Sequence, residues 1–291
     1  MRPKELKTRI FLDGGDPVET KNIVEALGFL DGQTTNPTLI AKNPRVKERL
    51  EKGNYFSEEE IFENYKIIVG EISQLIPNGS ISIEVNANQN TTADEMLSQA
   101  RKMFSWIPNA HIKFPTIPEG LGAAEQAVKE NMRINMTLCF TQEQAAAVYS
   151  ATRGASRGSV FVSPFIGRLD DMGYNGMGLI ENITEMYRKE NSHVETLVAS
   201  VRNMEHFMMS LHLQADIVTC PYKILKQWAD DGMRMPDKNY KYDSSQFRSI
   251  PYKEIDGKTP WKEISFKHDL IDKGLKSFSR DWTKLTGKEP E

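Results

Sequence analysis

From residue 9 to about residue 230, short runs of apolar and β-branched residues alternate with longer amphipathic stretches. The short runs are "RIFLD" (9–13), "FLDGQTT" (29–35), "ISIEVNA" (81–87), "AHIKF" (110–114), "RINMTL" (133–138), "SVFVS" (159–163), "VETLVAS" (194–200) and "ADIVT" (215–219). Their length and composition read as strands, and about eight of them is the number that closes a parallel barrel. The stretches between read as helices that open on cap chemistry. In "DPVE", Asp16 takes the N-cap, Pro17 the first helical position and Glu19 the third, and "TIPE" (116–119) and "TQEQ" (141–144) repeat the capping-box logic. Repeated strand–helix units imply parallel strands joined by crossover helices. The predicted fold is therefore α/β, a (β/α)8 TIM barrel over residues 1–230, with an open doubly wound sheet as the alternative.

Two regions depart from the alternation. Residues 44–79 hold "SEEEIFENYKIIVGEISQLI", an amphipathic helix with Ser57 as its cap. The second region, 231–291, opens with a polar stretch (231–262) rich in Tyr and Pro and weakly periodic, which reads as an extended arm. A last helix follows at 268–285, with Leu270, Ile271, Leu275, Phe278, Trp282 and Leu285 on one face. That face must bury against the barrel or against a neighbouring subunit, so a homo-oligomer is expected.

Composition narrows the function. A chain of 291 residues suits one such barrel, and 39% hydrophobic residues with both charge signs mixed describe an ordinary soluble protein. The formal net charge of -3 and the lack of a Lys/Arg block argue against a nucleic-acid partner. No run approaches a membrane span, and "MRPKELKTRIFLDGG" has no apolar signal-peptide core. Cys139 and Cys220 lie in unrelated segments without CxxC spacing, which predicts free buried thiols, a reducing compartment and a cytoplasmic location.

One residue breaks the strand pattern in a way that demands chemistry. Lys113 sits inside "AHIKFP" (110–115), where a buried ammonium is costly unless it is paired or gives up its proton. In a parallel barrel, working groups gather at the C-terminal strand ends. Reading those ends in order gives Asp13, Asn36, Glu84, Lys113, Asn135 with Thr137, Ser163 with Arg168, and Ser200 with Arg202. Ordinary roles compete for several. Asp13 could be a turn aspartate, although Asp16 already serves the cap; Asn36 before Pro37 could be only an N-cap. Glu84 lies where alternation points it either to solvent or into a barrel, and Thr137 could serve β propensity alone. Arg168 and Arg202 each follow a strand with a nearby Ser, the mixture that cradles a phosphate. "GYNGMGLIE" (173–181) lacks dinucleotide spacing and reads as a loop. The five histidines show no metal spacing, so satisfied or surface roles are expected, and the Met-rich "NMEHFMMSLHL" (203–213) reads as a core-packed helix.

These motifs taken together resemble the transaldolase and fructose-6-phosphate aldolase family. The resemblance rests on Lys113 in "IKFP", Asn36 in "DGQTTNPTLI", Asn135 and Thr137 in "INMTLCF", and "VSPFIGRLDD" (162–171). Asp13 in "FLDGGD", Glu84 in "IEVNA", and Ser200 with Arg202 in "ASVRN" add to it, and it returns in "GLKSFSRDW" of the last helix. It implies a (β/α)8 barrel, a Schiff-base lysine at Lys113, sugar phosphate substrates and no metal or organic cofactor. It further implies that Asp13 acts on the C4 hydroxyl and that Glu84 and Thr137 move protons through a water. Asn36 and Asn135 would bind the dihydroxyacetone unit, and Ser163, Arg168, Ser200 and Arg202 the phosphate. Within the family, aldolase members resemble "AQV" where this chain reads "IEV" and carry a tyrosine near Phe165, so Glu84 and Phe165 favour transaldolase. A catalytically silent barrel with a binding or assembly role is the reading from another class.

Overall fold

The computed structural model describes residues 2–265 and 268–287. Among these, eight parallel strands close into one barrel in sequence order, with β1 hydrogen-bonded to β8. The strands are β1 (Arg9–Asp13), β2 (Gly32–Thr34), β3 (Ser80–Glu84), β4 (Ala110–Pro115), β5 (Ile134–Cys139), β6 (Val160–Pro164), β7 (Glu195–Val198) and β8 (Ile217–Cys220). Between β1 and β3 run helices α1 (Pro17–Leu27), α2 (Pro37–Ala41), α3 (Pro44–Glu51) and α4 (Glu58–Leu75). The crossovers from β3 to β6 are α5 (Ala93–Phe104), α6 (Pro118–Lys129) and α7 (Gln142–Ala151). Then come α8 (Ile166–Asp170), α9 (Gly176–Lys189), α10 (Met204–His212), α11 (Tyr222–Asp230) and the terminal α12 (Asp269–Leu285). The fold is the (β/α)8 barrel that the alternation predicts.

Local chemistry explains most boundaries. Asp16 accepts from Val18 N and Pro17 opens α1, while Ser57 and Glu60 form a complete capping box on α4. All six residues of β4 and of β5 are buried, as expected of strands covered on both faces. The second strand is shorter than its apolar run, although Asp31 just before it still bonds to both neighbours, its N–H donating to Ile10 O and its carbonyl accepting Ser80 N–H, each at 3.0 Å. Its carboxylate accepts Ile10 N–H (2.8 Å) and pairs with Arg2 (2.6 Å). The cap expected at "TIPE" is absent: Thr116 Oγ1 donates instead to Thr137 O (2.7 Å), and α6 starts at Pro118 without a side-chain cap. Asn175 caps α9 through Gly178 N, so "GYNGMGLIE" is mostly the start of a helix and not a loop. Both cysteines are free and buried.

Pairing register decides what the barrel encloses. Ser82 lies opposite His111, Glu84 opposite Lys113, and Lys113 opposite Asn135. Because side chains alternate across a strand, these neighbours share the inner face. At the lower end His111 stacks on Phe161 with centroids 4.2 Å apart, and burial holds its pKa down at about 3, so it is neutral. The apolar core lies mainly between strands and helices.

Beyond α11 the chain runs outside the barrel with little regular structure, touching the helices on that side. Gln142 exchanges two hydrogen bonds with the Lys253 backbone, and Asn182 donates to Ile250 O. Helix α12 then lies across the C-terminal mouth against α2 and β5. All six apolar residues of its predicted face are buried, so that face is used within the chain. Leu138, at φ 59° where the β5–β6 register shifts, meets α12 at Gly274; a Cβ there would stand 2.6 Å from Leu138 Cδ2. Trp282 packs edge-on against Phe62 of α4 with centroids 5.2 Å apart. Trp282→Ala is expected to cost about 3–5 kcal/mol, the usual range for removing a buried tryptophan. Chemical denaturation measures it, and an unchanged midpoint would show that α12 contributes nothing to stability.

Candidate active site

At the C-terminal mouth the strand ends line a pocket of about 500 Å³, a size that suits a small-molecule substrate. Asp13, Asn36, Lys113, Ser163, Phe165, Arg168, Ser200 and Arg202 all line it. Glu84, Asn135 and Thr137 are buried in the strands around its floor. The eleven positions singled out in the sequence therefore converge on one site.

Lys113 is at its centre. Its Nζ lies 2.8 Å from Glu84 Oε2, both side chains only 4% exposed, and 3.3 Å from Thr35 O. Burial raises the Glu84 pKa, opposed first by the charge of Lys113 and, more weakly, by that of Arg168. Glu84 is thus poised to accept a proton from the ammonium beside it. Burial also raises the Asp13 carboxyl, again opposed by Lys113 and by a hydrogen bond from Thr34 Oγ1 (2.7 Å). Lys113 and Glu84 are close enough to exchange a proton directly, while Asp13 feels the charge of Lys113 without touching it.

The amides are partly committed. Asn36 Oδ1 accepts Leu39 N–H (2.9 Å) and caps α2, so its ordinary role and its place in the pocket coexist. Asn135 Nδ2 donates to Ser82 Oγ (3.0 Å), and Ser163 Oγ donates to Asn135 Oδ1 (2.6 Å). Ser163 therefore spends its hydroxyl proton on Asn135 inside the barrel. Thr137 Oγ1 is buried with no hydrogen-bond partner among the described residues, which leaves it open to a substrate or water.

The opposite wall is cationic. Arg168 stacks over Phe165 (5.0 Å) and over Phe278 of α12 (5.6 Å), and among the described residues no carboxylate lies within 4 Å of it. Burial lowers the Arg168 pKa, and the nearby charge of Arg202 adds to that. Arg202 pairs with Asp171 at 3.0 Å, where both are exposed enough for an incoming anion to compete. Ser200 adopts φ 61°, a left-handed conformation that a residue other than glycine holds at a cost. Its carbonyl accepts Gly167 N–H (3.1 Å), and a Cβ at Gly167 would come within 2.3 Å of that oxygen. Only glycine lets the two loops meet there. Among the described residues no group of three or more His, Cys, Asp or Glu side chains converges as a metal site would.

Several site residues carry no obvious signal in the sequence. Tyr65 sits in the apolar stripe of α4 with Ile61, Ile68 and Ile72, where it reads as core. Its hydroxyl accepts Glu84 N–H (3.1 Å) and is 2.6 Å from Thr35 Oγ1, which donates to Ser82 O (2.7 Å). Tyr65 thereby ties the Glu84 backbone to the Thr35 hydroxyl, the two residues that Lys113 Nζ contacts. Lys42 and Lys223 add positive charge to the pocket. They follow β2 and β8, and the rule that barrel sites are built from such segments is the one clue that points to them.

Residues 10–289 match the family model described as Transaldolase/Fructose-6-phosphate aldolase. A protein of Dehalococcoides mccartyi named "Probable transaldolase" is 39% identical over 219 residues, covering 75% of this chain and 89% of its own. Proteins of the same name from Herpetosiphon aurantiacus and Caulobacter vibrioides are 32% and 34% identical, the first covering 95% of this chain and 96% of its own, the second 94% and 96%. The chain belongs to the transaldolase/fructose-6-phosphate aldolase family.

Proposed function

We propose that the chain is a cytoplasmic transaldolase of the pentose phosphate pathway. It transfers a dihydroxyacetone unit from fructose 6-phosphate or sedoheptulose 7-phosphate to an aldose phosphate, through a Schiff base on Lys113. The observation that carries this reading is the buried Lys113–Glu84 contact at 2.8 Å with Asp13 in the same pocket and two arginines across it. An amine nucleophile, a base for each proton and an anion site are then present together.

Glu84 takes a proton from the Lys113 ammonium, and the neutral amine adds to the ketose C2 carbonyl. Protonation of the carbinolamine hydroxyl expels water and leaves an iminium, with Glu84 and a water held by Thr137 relaying the proton. Asp13 removes the C4 hydroxyl proton as the C3–C4 bond breaks, and its electron pair flows into the iminium. Glyceraldehyde 3-phosphate leaves, and the three-carbon enamine remains on Lys113. The enamine carbon then adds to the aldehyde carbon of erythrose 4-phosphate, Asp13 returns its proton to the new alkoxide, and hydrolysis frees Lys113 with sedoheptulose 7-phosphate. Asn36 and Asn135 bind the hydroxyls of the dihydroxyacetone unit, with Ser163 holding Asn135 in place. Ser200, Arg168 and Arg202 hold the phosphate. Phe165 and Phe278 flank Arg168 and reduce its hydration.

Transfer, not release, is favoured by Glu84 and Phe165 and by the names of the relatives. Glyceraldehyde 3-phosphate should appear from fructose 6-phosphate only when erythrose 4-phosphate is supplied, as a coupled assay would follow. Sustained release without acceptor would make the chain an aldolase that frees dihydroxyacetone. Borohydride reduction in the presence of fructose 6-phosphate should fix a three-carbon adduct on Lys113, read by peptide mass spectrometry. Lys113→Met should lower turnover by about 10⁴-fold or more while the chain still folds, because Glu84 can be protonated once its partner is gone. An adduct on another residue, or turnover within about tenfold of wild type, would remove Lys113 from the chemistry.

A third expectation concerns pH. Asp13 has a raised folded-state pKa, so above the ordinary carboxyl range the native state binds more protons than the unfolded state. Stability then falls as pH rises through that window. Asp13→Asn keeps an acceptor for Thr34 and removes the titration. It should abolish turnover yet raise the melting temperature near neutral pH, with the gain vanishing below about pH 4, near the unperturbed aspartate pKa. Melting curves of both proteins across pH decide it, and a variant equally destabilised at every pH would contradict it.

A further inference from the structure

Behind the cationic wall, outside the barrel, lies a group of polar side chains that the proposed chemistry does not use. His206 of α10 is 2% exposed, and its Nε2 lies 2.7 Å from Asp170 Oδ2 at the end of α8. Its other ring nitrogen, Nδ1, accepts the Arg202 backbone N–H (3.3 Å). Nδ1 therefore carries no proton, and Nε2 donates to Asp170. Tyr242, from the stretch outside the barrel, donates its hydroxyl to the same Asp170 oxygen (3.2 Å) and lies 3.2 Å from His206 Nε2. Asp170 Oδ1 accepts Gly176 N–H (2.9 Å).

We propose that Asp170, His206 and Tyr242 form a clamp that positions Arg168 and Arg202 for the substrate phosphate, and that supplying Tyr242 is a task of the segment 231–262. The proposal rests on the reading above that an anion sits between these arginines. Asp170 lies two residues after Arg168, and His206 holds the backbone of Arg202. The Asp170–His206 bond thus joins the two arginine-bearing loops directly, in addition to their contact at Gly167. The clamp also governs charge. Asp170 is the acid nearest Arg168 in sequence, yet its oxygens are taken up by Gly176, His206 and Tyr242, and Arg168 has no carboxylate partner among the described residues. Were Asp170 released, it could turn to either guanidinium and compete with a phosphate for it. The segment that carries Tyr242 is anchored six residues further on, where Arg248 N donates to Gly173 O (2.8 Å) and Asn175 N to Arg248 O (2.9 Å).

The test uses the full chain and two substrates that differ by a phosphate, fructose 6-phosphate and fructose, each with erythrose 4-phosphate as acceptor. Tyr242→Phe removes one hydrogen bond from a half-buried side chain. It should raise KM for fructose 6-phosphate about fivefold to tenfold with kcat nearly unchanged, and leave kcat/KM for fructose as it was. His206→Gln, which keeps a donor toward Asp170, should be affected less than His206→Leu. Inorganic phosphate, titrated calorimetrically into wild type and Tyr242→Phe, should bind the variant more weakly by a similar factor. That arm decides the clamp even if the sugar phosphates prove not to be substrates. Equal losses on both ketoses, an unchanged KM for fructose 6-phosphate, or equal phosphate affinity in the two proteins would overturn the proposal.

Discussion

The contact between Lys113 and Glu84 is the constraint around which the upper half of the barrel is arranged. Two ions with side chains only 4% exposed lose hydration that costs several kcal/mol each, and their mutual attraction offsets this only if other groups hold the geometry. Those groups come from three directions. Thr35 O receives the lysine, the β3–β4 register sets the two residues side by side, and Tyr65 pins the backbone of Glu84 and the hydroxyl of Thr35. A pair that is attractive but insufficiently solvated has a proton that moves easily. That property serves an amine that must become neutral before it can react.

The same register explains why the barrel interior is polar where a sandwich core would be apolar. Most inward positions on β3, β4 and β5 from the His111 layer upward carry a polar group, Ser82, Glu84, Lys113, Asn135 and Thr137, with Pro115 apolar among them. The apolar core that stabilises the fold is displaced to the shell between strands and helices. This separation lets the site keep charges that a hydrophobic core would not tolerate.

The architecture was legible because it rests on periodicity. Eight short runs and their caps at Asp16, Ser57 and Thr141 specify strands and helices locally, and a parallel barrel follows from repetition. The candidate residues were legible because they interrupt that periodicity, Lys113 and Glu84 most clearly. What escaped has the opposite character. Tyr65 obeys the helical apolar pattern and differs from core only by a hydroxyl whose partners lie on two strands. His206 and Tyr242 lie 36 positions apart and acquire meaning only when Asp170 stands between them. The missing cap at "TIPE" belongs to the same class, since Thr116 is drawn to a carbonyl of β5 that no local rule could supply.

Groups left unpaired for chemistry weaken a fold, and the compensation has to come from elsewhere. Among the described residues, Asp13 is half-buried without a bonded cation, Arg168 has no carboxylate partner, and Leu138 and Ser200 hold left-handed backbone. Each such feature costs on the order of 1–3 kcal/mol; Asp13, Arg168 and Ser200 line one pocket, and Leu138 lies under α12 beside it. Helix α12 borders the same pocket: Phe278 stacks on Arg168, Gly274 admits Leu138, and Trp282 packs on Phe62, one turn before Tyr65 in α4. The apolar face of α12 therefore acts where the strain is concentrated. A helix chosen only to cover exposed surface could have docked anywhere on the outer ring; one placed over the mouth offsets the cost of the site and also walls it from water.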